Sequence, residues 1–181
     1  MRPRIMGCAL VIMALVIVPT QAAHPQQEIF PPGRLLFSWE GEAAEDLFGL
    51  AVAGADDVDS DGVPDVVIGA SEHDGPAGLD SGKVYVYSGA DGRLLVSWDG
   101  EAPEDAFGRA VDGAGDVNAD GFSDVIIGAP HYAGAIGLQT GKAYVYSGND
   151  GELLWTWQGE APLDRFGDSV SGAGDINQDG Y

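Results

Sequence analysis

The sequence predicts an all-β fold assembled from four-stranded antiparallel sheets of the kind that form the blades of a β-propeller. Three observations carry that expectation. A unit of 59 residues recurs without a gap. Each unit holds four short apolar runs divided by turn residues, and no stretch shows the 3.6-residue apolar period of a helix. Four antiparallel strands in a repeat of this size are the signature of a propeller blade.

The repeat is visible first at Leu35-Leu-Phe-Ser-Trp-Glu-Gly-Glu42, which returns as Leu94-Leu-Val-Ser-Trp-Asp-Gly-Glu101 and as Leu153-Leu-Trp-Thr-Trp-Gln-Gly-Glu160. Phe48-Gly49, Phe107-Gly108 and Phe166-Gly167 keep the same spacing, as do Asp57, Asp116 and Asp175. The chain therefore divides into full units at 35–93 and 94–152 and a truncated third at 153–181.

In the second unit the expected strands are 110–115, 124–129, 142–147 and 152–157. The turn Gly148-Asn-Asp-Gly151 joins the last two, and Asp-Gly or Asn-Asp between apolar runs is a hairpin signal. Runs such as Val125-Ile-Ile127 are apolar at consecutive positions. That pattern fits strands covered on both faces, as in blades stacked around an axis. Trp39, Trp98 and Trp157 keep register from unit to unit and read as core or inter-blade packing.

Between the first two strands of each unit lies an acidic loop: Asp57-Val-Asp-Ser-Asp-Gly-Val-Pro-Asp65, then Asp116-Val-Asn-Ala-Asp-Gly-Phe-Ser-Asp124, and the opening Asp175-Ile-Asn-Gln-Asp-Gly180. Oxygen-bearing side chains at positions one, three, five and nine of a tightly curled loop converge on one point, and glycine at six permits the turn. A hard cation needs six to eight oxygens at about 2.3–2.6 Å, and this spacing supplies them. The expected Ca2+ ligands are Asp57, Asp59, Asp61, the Val63 carbonyl and Asp65 in the first loop. Asp116, Asn118, Asp120, the Phe122 carbonyl and Asp124 follow in the second, and Asp175, Asn177 and Asp179 in the third. Position twelve is Ile68 or Ile127, where an EF-hand or a dockerin-type module places an oxygen ligand, so neither fits.

The termini and composition set the setting. Arg2 and Arg4 followed by the apolar stretch from Ile5 to Val18, with Thr20-Gln-Ala22 as cleavage site, read as a signal peptide over 1–22. That run is shorter than the roughly 20 residues needed to span a bilayer, so no membrane span is expected after cleavage. Residues 23–34 read as a leader or linker. The expected localisation is secreted or cell-surface, periplasmic in a bacterium. The only cysteine, Cys8, falls inside the signal, which leaves no disulfide or thiol chemistry. A net charge of −21 and a pI near 4.1 argue against nucleic acid and against anionic lipid as partners.

Phe107-Gly108, the acidic loop and Gly128-Ala-Pro130 together resemble the FG-GAP repeat of integrin α-subunit β-propellers, which bacterial secreted proteins also carry. The resemblance covers about 35–181, and the first unit departs from it only in having Gly69-Ala-Ser71. It implies a seven-bladed propeller with calcium loops between first and second strands. It also implies a partner-binding face on the opposite side, made here from 71–81, 130–140 and the segments near 41–46, 100–105 and 159–164. The remaining blades of the same propeller are then partners too, since two and a half units do not close a ring.

No catalytic constellation emerges. His24, His73 and His131 do not recur at the repeat spacing and read as surface loop histidines; Ser71, Ser81 and Ser88 have no positioned base. Glu42, Glu45, Asp46, Glu101, Glu104 and Asp105 recur in successive units, which points to a structural or surface role. The sequence thus reads as a non-enzymatic, exported calcium-binding module for protein or carbohydrate binding and adhesion. Two alternatives remain: the propeller part of a secreted hydrolase such as a phospholipase, with its catalytic region elsewhere, and a structural cell-surface spacer.

Overall fold

The computed structural model describes residues 35–174. Two compact units divide the chain, Met1–Glu40 and Gly41–Tyr181. In the described part of the first, 35–40, there is no regular strand, and the rings of Phe37 and Trp39 lie 5.7 Å apart. The signal peptide, the leader, His24 and the third acidic loop with Asp175, Asn177 and Asp179 lie outside the described residues.

The second unit holds eight strands and, among the described residues, no helix. They are β1 (Phe48–Gly54), β2 (Val66–Ala70), β3 (Lys83–Tyr87), β4 (Leu94–Asp99), β5 (Ala110–Gly115), β6 (Asp124–Ala129), β7 (Lys142–Tyr146) and β8 (Leu153–Gln158). They form two four-stranded antiparallel sheets, β1-β2-β3-β4 and β5-β6-β7-β8. These are two propeller blades, and the strands expected in the second unit agree with β5 to β8 to within one residue at either end.

The sheet and the sequence repeat are out of frame. β4 begins at Leu94, where the second repeat begins, yet it pairs with β3 through Val84↔Trp98 and Val86↔Val96. Each blade thus takes its outer strand from the opening of the next unit.

The consecutive apolar runs are buried as the sequence implied: every residue of β2 is buried, and all but one of β6. A single core cluster spans both blades, with Val67, Val84 and Val86 from one and Val125, Ile127 and Tyr144 from the other. Trp98 of β4 stacks on Tyr146 of β7 with centroids 4.9 Å apart, and its Nε1–H donates to the Gly151 carbonyl at 2.9 Å.

The Phe-Gly and Gly-Ala pairs owe their recurrence to a backbone interlock. Gly108, at φ +82°, passes so close to β2 that a Cβ on Gly69 would overlap the Gly108 carbonyl. Gly167 stands in the same relation to Gly128. Only glycine lets two main chains approach this closely. The preceding residues, Leu47, Ala106 and Arg165, all take the left-handed conformation, with φ of 52°, 55° and 52°.

Candidate metal centre

Each acidic loop spans the gap between the first two strands of its blade, β1 to β2 and β5 to β6. The curl is produced locally. In the first loop both oxygens of Asp57 accept backbone N–H groups, from Asp61 and Gly62, each at 2.9 Å. In the second, Asp116 accepts from Asp120 and Gly121 at 3.0 and 2.8 Å. Gly62 and Gly121 sit at φ +89° and +90°, which accounts for glycine at position six. Ser60 and Ala119 at position four are also left-handed, at +57° and +63°.

Position nine anchors the loop. Asp65 and Asp124 are buried, and each carboxylate accepts two backbone N–H groups. One comes from the loop's own neck, Val58 to Asp65 Oδ2 at 2.8 Å and Val117 to Asp124 Oδ2 at 2.9 Å. The other comes from the hairpin between the third and fourth strands, Gly89 to Asp65 Oδ1 at 3.0 Å and Gly148 to Asp124 Oδ1 at 3.1 Å. Burial pushes both carboxyls above their ordinary range, against the pull of those hydrogen bonds.

Asp57, Asp59 and Asp61 come together, with one oxygen of each within 4.8 Å of the others, a group that could hold a metal ion. Asp59 Oδ2 accepts from Arg93 Nη2 at 2.7 Å, while Asp59 Oδ1 is buried and has no hydrogen-bond partner. A buried, bare carboxylate oxygen is costly unless a positive charge faces it, so this donor set fits a hard cation. Val63 enters through its N–H, which donates to Asp61 Oδ1 at 2.8 Å. The second loop has Asn118 at position three; its Nδ2 donates to Asp120 Oδ2 and its Oδ1 accepts from Asp120 N–H, both at 3.0 Å. Phe122 N–H donates to Asp120 Oδ1 at 3.0 Å.

On the opposite ends of the strands, the β2–β3 and β4–β5 connections meet. The Glu104 N–H donates to the Leu79 carbonyl at 2.9 Å and the Phe107 N–H to the Ser81 carbonyl at 3.2 Å. A cleft of about 540 Å³ opens there, bordered by Leu47, Leu50, Glu72, Arg109, His131 and Arg165.

His73 is not the surface loop residue expected from sequence. It is buried, with Nδ1 2.8 Å from Oδ2 of the buried Asp46. Asp46 also accepts from Ala43 N–H at 3.1 Å, so the carboxylate closes a turn and supplies the partner that lets the imidazole leave water. Asp105 closes the equivalent turn from Ala102 at 3.1 Å, and Asp164 does so from Ala161 at 2.8 Å. The structural role expected of the repeated carboxylates is met at these positions. Glu42 and Glu101 do likewise by pairing with Lys83 and Lys142 at 2.8 and 2.9 Å.

The FG-GAP repeat model matches at 48–87 and again at 107–146, the two segments that each carry a Phe-Gly pair, an acidic loop and three strands. The chain is an integrin α-like FG-GAP repeat protein. Integrin alpha-6 from Gallus gallus is 33% identical over 162 residues, covering 79% of this chain and 13% of the relative. Integrin alpha-5 from Xenopus laevis is 32% identical over 166 residues, 82% of this chain and 15% of the relative. Integrin alpha-6 from Homo sapiens is 32% identical over 154 residues, 79% and 12%. This FG-GAP chain spans only about a seventh of the length of such relatives. Among the described residues, no helix is long and apolar enough to cross a membrane.

Arg93, whose guanidinium reaches the first metal loop at Asp59, is a functional residue that the repeat spacing does not reveal. Its signal was a difference between copies: position 93 is Arg where the equivalent position 152 is Glu.

Proposed function

We propose that this chain is a calcium-stabilised, non-enzymatic FG-GAP module that binds a protein ligand on the face opposite its metal loops. Signal peptide 1–22 exports it to the cell exterior or surface, 23–34 is a leader, and 35–181 carries the repeats. The observation that carries the calcium half is the bare, buried Oδ1 of Asp59 beside Asp57 and Asp61. In the first loop Asp57, Asp59, Asp61, Asp65 and the Val63 carbonyl hold the cation. Asp116, Asn118, Asp120, Asp124 and the Phe122 carbonyl hold it in the second, and Asp175, Asn177 and Asp179 contribute to a third. The bound ion supplies positive charge that offsets the mutual repulsion of the carboxylates and locks the connection between first and second strands.

The ligand half rests on the cleft beside His131, where the cationic Arg109 and Arg165 stand among Glu72, Asp80, Glu104 and Asp168 around the apolar Leu47 and Leu50. Among the described residues no Phe, Tyr or Trp ring lines it as a platform for a sugar. Mixed charge around an apolar floor suits a polypeptide segment.

Thermal melts in millimolar calcium and in chelator test the first half. Calcium at about 100 times its Kd adds roughly 2.7 kcal/mol per site, which raises Tm by about 5 °C or more. Equal melts of the wild-type chain in the two buffers would overturn the metal assignment. For the second half, the calcium-loaded chain is applied to arrays of secreted proteins and of glycans, alongside Arg109→Glu. Protein capture that Arg109→Glu abolishes supports the assignment; capture by glycans alone overturns it.

A further inference from the structure

We infer that Arg93 is a positioning residue of the first metal loop: it holds one oxygen of Asp59, turns the other toward the cation, and thereby trades calcium affinity for stability of the metal-free loop. This rests on the calcium reading above.

The geometry divides the Asp59 carboxylate between two partners. Oδ2 takes a charge-assisted hydrogen bond from Arg93 Nη2 at 2.7 Å, and Oδ1 is left buried and unpartnered. With Oδ2 engaged, Asp59 offers a cation one oxygen and not two. The backbone N–H of Arg93 donates to Asp91 Oδ1 at 3.0 Å, and the exposed guanidinium also pairs with Asp91, its Nε 3.4 Å from Oδ2. Arg93 closes the β3–β4 hairpin, its carbonyl accepting from Ser88 N–H at 2.9 Å, and Asp65 already grips that hairpin through Gly89 N–H. It therefore belongs to the same rigid attachment of loop to blade. It also borders a cleft of about 270 Å³ between the two blades, with Asp59, Leu95 and Phe122, so solvent reaches the pair.

The electrostatic consequence has two opposite signs. Without metal, four carboxylates crowd the first loop, and one positive charge paired with Asp59 relieves part of their repulsion. With metal bound, the same charge repels a divalent cation. At about 6 Å in a water-exposed setting, that repulsion weakens binding by roughly tenfold, reduced to about threefold by salt. Any variant that merely damages the fold lowers stability and affinity together, so the predicted opposition is diagnostic.

The second loop provides the internal control. Asn118 stands where Asp59 stands, and Glu152 where Arg93 stands. Counting loop side chains alone ranks the first loop as the more negative, four carboxylates against three. Adding the residue after each hairpin reverses that order, to a net −3 against −4.

Calorimetric calcium titrations and melts of the calcium-stripped full chain test this. Arg93→Ala is expected to tighten one binding step about threefold to tenfold and to lower the metal-free Tm, while Arg93→Lys keeps both near wild type. Glu152→Arg is expected to weaken the other step, which assigns the two steps to their loops. Unchanged or weaker calcium affinity in Arg93→Ala overturns the role of Arg93, as does a Lys variant that behaves like Ala or a Glu152→Arg variant with both steps unmoved. If the wild-type chain takes up no calcium, the calcium reading itself falls, a result distinct from a wild type that binds and an Arg93→Ala that binds no tighter.

Discussion

β4 and β8 are nearly the same strand in sequence and stand in opposite environments. In Leu94-Leu-Val-Ser-Trp-Asp99 the tryptophan packs on the second blade and Trp98 is 8% exposed; Leu153-Leu-Trp-Thr-Trp-Gln158 has no described blade beyond it, and Trp157 is 49% exposed. Phe107 and Phe166 differ in the same way, at 1% and 42%. The strand forms in both cases, with the same pairing to its inner neighbour, Val84↔Trp98 and Ala143↔Trp157. Register is therefore set inside a blade, and only burial is set between blades. Like comparisons at the loops and turns, where one copy carries a partner that the other lacks, separate what the repeat needs from what a single copy adds.

The largest expected effect probes the seam itself. Trp98→Ala removes a stacked ring and the donor to Gly151, and is expected to cost about 3–5 kcal/mol in urea unfolding. Trp157→Ala, at the equivalent position, is expected to cost less than about 1 kcal/mol. Equal losses at the two positions would break the comparison.

Next comes the turn carboxylate. Asp46 has His73 against it, whereas Asp105 has Tyr132 at the equivalent position. Burial first, and the nearby Glu101 after it, push Asp105 from 3.8 up to about 6, against the hydrogen bond from Ala102 and the charge of Lys142. A raised folded pKa means that folding takes up a proton. The stabilising contribution is complete below about pH 3.8 and is lost as pH rises through about 6. Asp105→Asn keeps an acceptor for Ala102 and carries no charge. In saturating calcium it is expected to gain about 3 kcal/mol over wild type at pH 7, shrinking to about 0.5 kcal/mol at pH 4, measured by urea unfolding across that range. A constant difference across that range would place the effect elsewhere.

The smallest effect sharpens the contrast between the loops. Asn118→Asp gives the second loop the fourth carboxylate of the first without an arginine beside it. Calcium affinity there is expected to rise by about tenfold, or roughly 1.4 kcal/mol, by calorimetry. An unchanged affinity would show that loop rigidity, and not charge, sets the binding strength.

These contrasts also mark what the sequence made legible. Strands β5 to β8, the glycine at position six and the placement of the acidic loops were readable because each feature occurs at least twice at one spacing. A pattern seen in two copies identifies itself. Asp46–His73 and Asp59–Arg93 were not readable, since each joins residues far apart in the chain and exists in one blade only. The position-nine carboxylates were read as ligands alone. Their grip on Gly89 and Gly148 depends on the β3–β4 and β7–β8 hairpins folding back beside the loops, a tertiary fact that spacing does not encode.

The frame shift between unit and blade has a consequence for how such arrays grow. Because β4 is drawn from the opening of the following unit, recombination between copies can cut anywhere in the period and still yield whole, correctly paired blades within the array. Added units multiply the seams, but a linear array of any length keeps one outermost strand with no successor to cover it. Growth dilutes that exposed edge without removing it. Only joining head to tail does, so the out-of-frame strand gives selection a reason to prefer a closed number of copies over a merely larger one.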